Sequence, residues 1–148
     1  MSRKVEDYLE ESKRSILDLL LPVQVPTWNM FEVEHQRPET SEERKCMKDY
    51  IYNQTGNKNG LYVYKDQDEQ ILYIGKGKPI KVRLYSHYCE SFELVKGDPK
   101  GRWFDFFSNH RGNLKVYWIE LEDENNRRFV EATLSSVLIP KFETWKLN

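Results

Sequence analysis

The chain has 148 residues, room for one compact domain with some elaboration and too little for two independent catalytic domains. Hydrophobic residues make up 39% and charged residues 32%, and the apolar content is concentrated in 7 Phe, 4 Trp and 9 Tyr, a composition that excludes a disordered chain. The formal charge of -1 conceals local fields: Lys76, Lys78, Lys81 and Arg83 fall in a stretch without an acid, whereas Glu120-Leu-Glu-Asp-Glu124 is almost wholly acidic.

Val5, Tyr8, Leu9, Ser12, Ile16, Leu19 and Leu20 recur at helical spacing and Pro22 halts them, which predicts an amphipathic helix over residues 5–21. A connector with Pro22, Pro26 and Pro38 follows, carrying Trp28, Met30 and Phe31 as residues that pack on the domain. Thr40-Ser-Glu-Glu43 offers a capping box to a second helix ending near Tyr52. The Gly- and Asn-rich stretch Asn53–Gly60 is a loop and the expected boundary, dividing a helical extension over 1–59 from a domain over 60–148.

Leu61-Tyr-Val-Tyr64 and Ile71-Leu-Tyr-Ile74, joined by six polar residues, predict a β-hairpin, and Leu114–Leu121 predicts a third strand covered on both faces. Between them lie a helix near Pro79–Tyr88, a turn at Gly97–Gly101 and a short aromatic helix at Trp103–Phe107. Phe129, Val130, Thr133, Leu134, Val137 and Leu138 then mark a core-facing helix that Pro140 stops. The fold class expected is α/β of the α+β kind. No apolar run approaches the ~18 residues of a membrane span, and the N-terminus turns acidic where an export signal would turn apolar. Cys46 and Cys89, without a CxxC, suit a reducing intracellular compartment better than a disulfide framework or a zinc site. The expected location is therefore the cytoplasm, or the nucleus if the source is eukaryotic.

Gly60-Leu-Tyr62 and Tyr73-Ile-Gly75 sit on the two hairpin strands, followed in order by Lys76, by Arg83 and His87 in Arg83-Leu-Tyr-Ser-His87, and by Glu131 on an apolar helix. Singly these have ordinary readings: strand aromatics, a strand end, a solvated basic face, a structural histidine. In this order they resemble the GIY-YIG nuclease family, and the Gly-Lys-Gly-Lys run with the Arg-x-x-x-His spacing resembles the branch of LEM-domain-associated nucleases and small bacterial and viral relatives. The resemblance covers about residues 60–140 and implies a small three-stranded, mainly antiparallel sheet flanked by helices.

Phosphodiester cleavage needs a positioned water, a group that takes its proton, and positive charge where negative charge grows on the phosphate. Arg83 is a planar, permanently charged fork suited to phosphate. Glu131 is a hard oxygen ligand, and one carboxylate with water and substrate phosphate suffices for Mg²⁺ or Mn²⁺. His87, four residues after Arg83, shares its helix face and can move a proton or touch the phosphate. The resemblance implies Tyr62 as general base and Tyr73 as a residue that orders the nucleophile or phosphate. Lys76, Lys78 and Lys81 supply charge for DNA, and Asn109 and Arg111 lie in a polar loop that is either a DNA contact or a plain surface turn. Many family members carry an asparagine about a dozen residues after the glutamate. Here Glu143 holds that slot after Pro140 and Asn148 is the late asparagine, so either Asn148 reaches the site, or Glu143 adds a second carboxylate, or the brace is absent; Asn148 is favoured if residues 144–148 turn back across the sheet with Trp145 as anchor, leaving Glu143, close to the break, facing water.

The function expected is a divalent-metal-dependent DNA endonuclease. The alternative is a catalytically inactive adaptor of the same fold that binds DNA or protein. Residues 1–59, with 9 basic and 11 acidic groups, suit contact with a protein partner or self-association better than a phosphate backbone.

Overall fold

A computed structural model describes residues 28–98 and 100–146. The helix expected over 5–21 lies outside them. Among the described residues, one four-stranded antiparallel sheet is formed by β1 (Asn29–His35), β2 (Gly60–Lys65), β3 (Ile71–Gly77) and β4 (Gly112–Glu120), in the order β1-β4-β2-β3. The helices are α1 (Ser41–Thr55), α2 (Ile80–Glu90), α3 (Arg102–Ser108), α4 (Glu124–Leu138) and α5 (Lys141–Lys146).

The fourth strand corrects the expected count of three. Phe31, Val33 and His35 point inward while Met30, Glu32 and Glu34 face water, a period-two alternation that pairs β1 with β4 from Asn29 opposite Trp118 to His35 opposite Gly112. Trp28 and Phe31 are buried as expected, but Met30 is exposed. Residues 28–59 are thus built into the domain rather than appended to it as a helical extension: the loop before Gly60 exists, yet β1 is hydrogen-bonded into the sheet and Phe31, Val33 and Ile51 belong to its core. Helix α1 starts on the expected cap, with Thr40 Oγ1 accepting from the Glu43 amide at 3.1 Å, and it runs three residues past Tyr52 to Thr55.

Both faces of the sheet are covered. On one, Phe31, Val33, Tyr62, Tyr64, Leu72, Tyr73, Leu114 and Val116 pack with Leu84, Tyr88, Phe106 and Phe107 from α2 and α3. On the other, Leu61, Val63 and Ile74 meet Leu134 of α4, with Val130 and Leu138 beside it. Phe129, expected in this core, is instead 72% exposed, because α4 turns Arg127 inward to donate to the carbonyls of Leu121 and Glu122 at 2.8 and 2.7 Å. After Pro140, α5 places Phe142 against Tyr73 and Phe106 in the first core.

His35 is fully buried among Tyr64, Tyr88 and Phe107, with ring centroids 5.4, 5.9 and 5.8 Å away, and neither ring nitrogen has a hydrogen-bond partner among the described residues. Burial lowers its pKa to about 3. The folded chain therefore keeps His35 neutral while the unfolded chain protonates it below about pH 6.5. Stability is lost as pH falls from there toward the folded value, at up to about 1.4 kcal/mol per pH unit from this residue. His35→Phe should retain more of its neutral-pH stability at pH 4.5 than the parent, with a shallower fall of Tm against pH; His87, also buried neutral, leaves part of the slope. Parallel Tm curves for the two proteins would contradict this.

Candidate active site

The site grows out of the β2–β3 hairpin. Tyr62 lies opposite Gly75 and Tyr64 opposite Tyr73, so alternation puts all four on the face covered by α2 and α3. The ring of Tyr62 crosses the strand over Gly75. A Cβ at position 75 would lie 2.5 Å from the Tyr62 hydroxyl and 2.7 Å from the Tyr73 ring, so a glycine is the residue that lets both tyrosines occupy this space. A shift of register between Tyr64 and Lys65 leaves Leu72 unpaired and brings Leu72 and Tyr73 into the same core.

Helix α2 presents Arg83, His87 and Glu90 at i, i+4 and i+7, one face, toward that hairpin. The Tyr62 hydroxyl is 2.7 Å from His87 Nε2, and His87 Nδ1 is 2.7 Å from Glu90 Oε1. All three side chains are buried. The Arg83 guanidinium is near enough to the hydroxyls of both Tyr62 and Tyr73 for its charge to lower their pKa values against burial, and it lies 5.9 Å from the Trp103 ring centroid. Trp103 Nε1 donates to the Tyr73 hydroxyl at 3.2 Å and the indole stacks on Phe142. The imidazole of His87 stacks on Phe107 at 4.7 Å.

This packing fixes the protonation states. Burial, aided by the neighbouring Tyr73, raises the Tyr62 pKa well above that of an ordinary tyrosine, with Arg83 opposing, so Tyr62 holds its proton at rest. Burial, with the Arg83 charge adding to it, holds the His87 pKa well below the usual range and keeps the ring neutral. Burial raises Glu90 to about 8, against the pull of Arg83 and with help from Asp98. Tyr73 is raised by burial, moderated by Trp103 and Arg83.

Glu131 of α4 reaches the same neighbourhood from the far side of β3, its carboxylate 3.6 Å from Lys76 Nζ and its side chain 27% exposed. It is a rim residue, close enough to Tyr73 to raise that group's pKa. No cluster of three or more His, Cys, Asp or Glu that could hold a metal exists among the described residues. A lone, part-exposed carboxylate beside a lysine nevertheless fits a hard divalent ion that takes its other ligands from water and substrate phosphate.

Not every expected residue arrives. Lys76 and Lys78 are exposed next to Gly75, and Lys81 hydrogen-bonds Asn57 Oδ1 at 2.5 Å across the Tyr52 ring. Asn109 and Arg111 are placed elsewhere: Asn109 caps α3 through Asp105 O at 2.7 Å, and the strand they lead into begins opposite His35, whereas Trp118, six residues on from Gly112, is the partner of Tyr62. That loop lies at the other end of β4 from the hairpin glycines, which favours the plain surface turn. Residues 144–146 continue α5 rather than turning back across the sheet, and Asn148 lies outside the described residues. Glu143 is half-buried in the first turn of α5, not solvent-facing as its position after Pro140 suggested.

Glu90, Trp103 and Phe142 were not foreseen. Glu90 was legible only as the fourth residue of His87-Tyr-Cys-Glu90, a spacing that shares a helix face but is too common to single out.

No protein-family model matches the chain. In sequence it is similar to the UvrABC system protein C of Helicobacter pylori strain P12, 29% identical over 96 residues, and to that of Helicobacter acinonychis strain Sheeba, 29% identical over 97 residues. Each match takes in 58% of this chain and 14% of the relative, so the chain corresponds to a small part of those proteins. Among solved structures it is similar to the GIY-YIG N-terminal endonuclease domain of UvrC from Thermotoga maritima, seen as two tyrosine-to-phenylalanine point mutants bound to the catalytic divalent cation. Both superpose with a TM-score of 0.46, at 20% and 21% identity, over 70% of this chain and 97% of that domain. With Tyr62 laid across Gly75, Arg83 and His87 meeting it from one helix, Glu131 following in order and a sequence match to UvrC proteins, the chain resembles the GIY-YIG family.

Proposed function

We propose that this protein is a divalent-metal-dependent endonuclease that hydrolyses phosphodiester bonds of DNA. The observation that carries the reading is the Tyr62 hydroxyl held 2.7 Å from His87 Nε2 within the field of the Arg83 guanidinium. A tyrosine whose pKa burial has raised is not a standing phenolate. It can act as a base only by giving up its own proton while it takes one from water, and a neutral imidazole at hydrogen-bond distance is a suitable acceptor.

In the reaction, water attacks phosphorus and its proton passes to the Tyr62 oxygen as the Tyr62 proton moves to His87 Nε2. The bond to the leaving oxygen breaks, and that oxygen takes a proton from solvent. Arg83 holds the charge that accumulates on the non-bridging oxygens, with Lys76 beside it. Tyr73, fixed by Trp103, orients the phosphate or the attacking water. Glu131 would hold Mg²⁺ or Mn²⁺, which supplies Lewis-acid charge at the phosphate.

The acidic outer face of β1, with Glu32 and Glu34, and the acidic first turn of α1 offer no phosphate contacts, which supports protein contact or self-association for this side of the molecule. No helix among the described residues is long and apolar enough to cross a membrane. The test is single-turnover incubation with supercoiled, linear and branched DNA, and with RNA, in Mg²⁺ or Mn²⁺. Cuts in at least one DNA that chelator abolishes are expected; cleavage unaffected by chelator, or of RNA alone, would overturn the reading.

A further inference from the structure

The relay just described works in one direction only. Tyr62 can pass its proton to His87 if Nε2 carries a lone pair, and in a neutral imidazole that requires the ring proton to sit on Nδ1. Nδ1 faces one group, Glu90 Oε1 at 2.7 Å, in a buried site. If that carboxyl is ionised it accepts from Nδ1–H, Nε2 is free to accept from Tyr62, and the imidazolium formed in the reaction is paired with a carboxylate. If it is protonated it donates to Nδ1. The ring proton then moves to Nε2, where it points at the Tyr62 oxygen and closes the exit for the Tyr62 proton.

From this geometry we propose that Glu90 is a positioning residue of the active site: its charge sets the His87 tautomer and so decides whether Tyr62 can act as a base. The proposal rests on the reading of Tyr62 as the base, though the tautomer itself can be observed without any cleavage. A carboxyl three residues along α2 serves this purpose because Arg83, His87 and Glu90 share one face, and Glu90 is buried where it cannot reach substrate.

The groups that face this pair make it respond to pH near neutrality. On α2 Arg83 favours the carboxylate; from β2 Tyr64, fully buried and with its hydroxyl unpartnered among the described residues, lies close enough to feel the Glu90 charge. From the turn before α3, buried Asp98 opposes ionisation, while Arg83 disfavours charge on His87 and His35 of β1, neutral in this range, adds none. Asp98 is itself held by the amides of Arg102 and Phe104, each at 3.0 Å. The balance leaves Glu90 titrating at about 8, so the open tautomer prevails above that pH and the closed one below it.

The experiment uses the full chain labelled with ¹⁵N at histidine and followed by two-bond ¹H–¹⁵N spectra from pH 6 to 9.5, with His87 identified by comparison with the His35→Phe and His110→Gln proteins, which account for the other two histidines. The His87 proton should move from Nε2 to Nδ1 as pH rises through the Glu90 titration, and the transition should be missing in Glu90→Gln. A single His87 tautomer across the range in the parent protein overturns the proposal, and this holds even if Glu90→Gln fails to fold. In parallel, the single-turnover cleavage rate at saturating DNA should rise about tenfold per pH unit before levelling off, as for one ionisation. Glu90→Gln should lose that limb and run about tenfold to a hundredfold slower at the plateau, with unchanged DNA affinity. Glu90→Asp should recover part of the limb. If the parent cleaves DNA and Tyr62→Phe does not, a Glu90→Gln profile that matches the parent overturns the role of Glu90 alone. A tautomer switch in a protein that cleaves nothing would instead leave Glu90 controlling His87 and defeat the nuclease reading.

Discussion

Tyr62→Phe should lower the single-turnover cleavage rate by about a thousandfold or more while leaving DNA affinity and Tm nearly unchanged, within the range of about 10²–10⁴ for loss of a general base. The substitution removes one oxygen and keeps the ring that fills the space over Gly75 and packs 6.0 Å from Tyr64 and Tyr73. It also leaves His87 Nε2 without its partner, but a neutral imidazole stacked on Phe107 tolerates that loss better than a charge would. The loss should therefore be in rate and not in binding. Tyr73→Phe should be milder, since its hydroxyl accepts from Trp103 but contacts no proton acceptor of the relay. Equal rates for Tyr62→Phe and the parent between pH 6 and 9 would move the base elsewhere.

Arg83→Ala should cost about a hundredfold to a thousandfold in rate, as expected when one donor to the developing phosphate charge is lost. Arg83→Lys should recover little, because an ammonium cannot meet a phosphate with two parallel donors as the planar fork does. A second effect separates this residue from a mere phosphate contact. Arg83 keeps the pKa values of Tyr62 and Tyr73 lower than burial alone would set them, and its charge disfavours protonated His87. Its removal should thus move the pH profile as well as the rate. Single-turnover rates across pH test both; a variant that loses only DNA affinity, with rate and profile intact at saturation, would reduce Arg83 to a binding residue.

The hairpin strands, β4 and the four helices from α1 to α4 were legible because period-two and period-3.6 apolar patterns are bounded there by caps, glycines and prolines. Strand β1 was not. Its alternation spans only Phe31, Val33 and His35, is diluted by Glu32 and Glu34, and lies between proline-bearing segments, so three aromatic and thioether side chains near its start read as loose packing residues. The site divides in the same way. Tyr62, Tyr73, Arg83, His87 and Glu131 announce themselves through an ordered motif, whereas Glu90 acts through His87, and Trp103 and Phe142 come from elements whose approach to Tyr73 is decided by tertiary packing. Phe129 shows the converse: it keeps the helical period, but the inward turn of Arg127 rotates it into water.

Whether the cluster of Tyr62, His87, Arg83 and Glu131 is a metal-dependent catalytic centre is decided by nicking of supercoiled DNA by the parent and Glu131→Ala proteins across a titration of Mg²⁺ and Mn²⁺. The parent should nick only with metal, and Glu131→Ala, equally folded, should be slower by about a hundredfold. Cleavage that proceeds without metal, or at the same rate in Glu131→Ala, would contradict that role for the cluster.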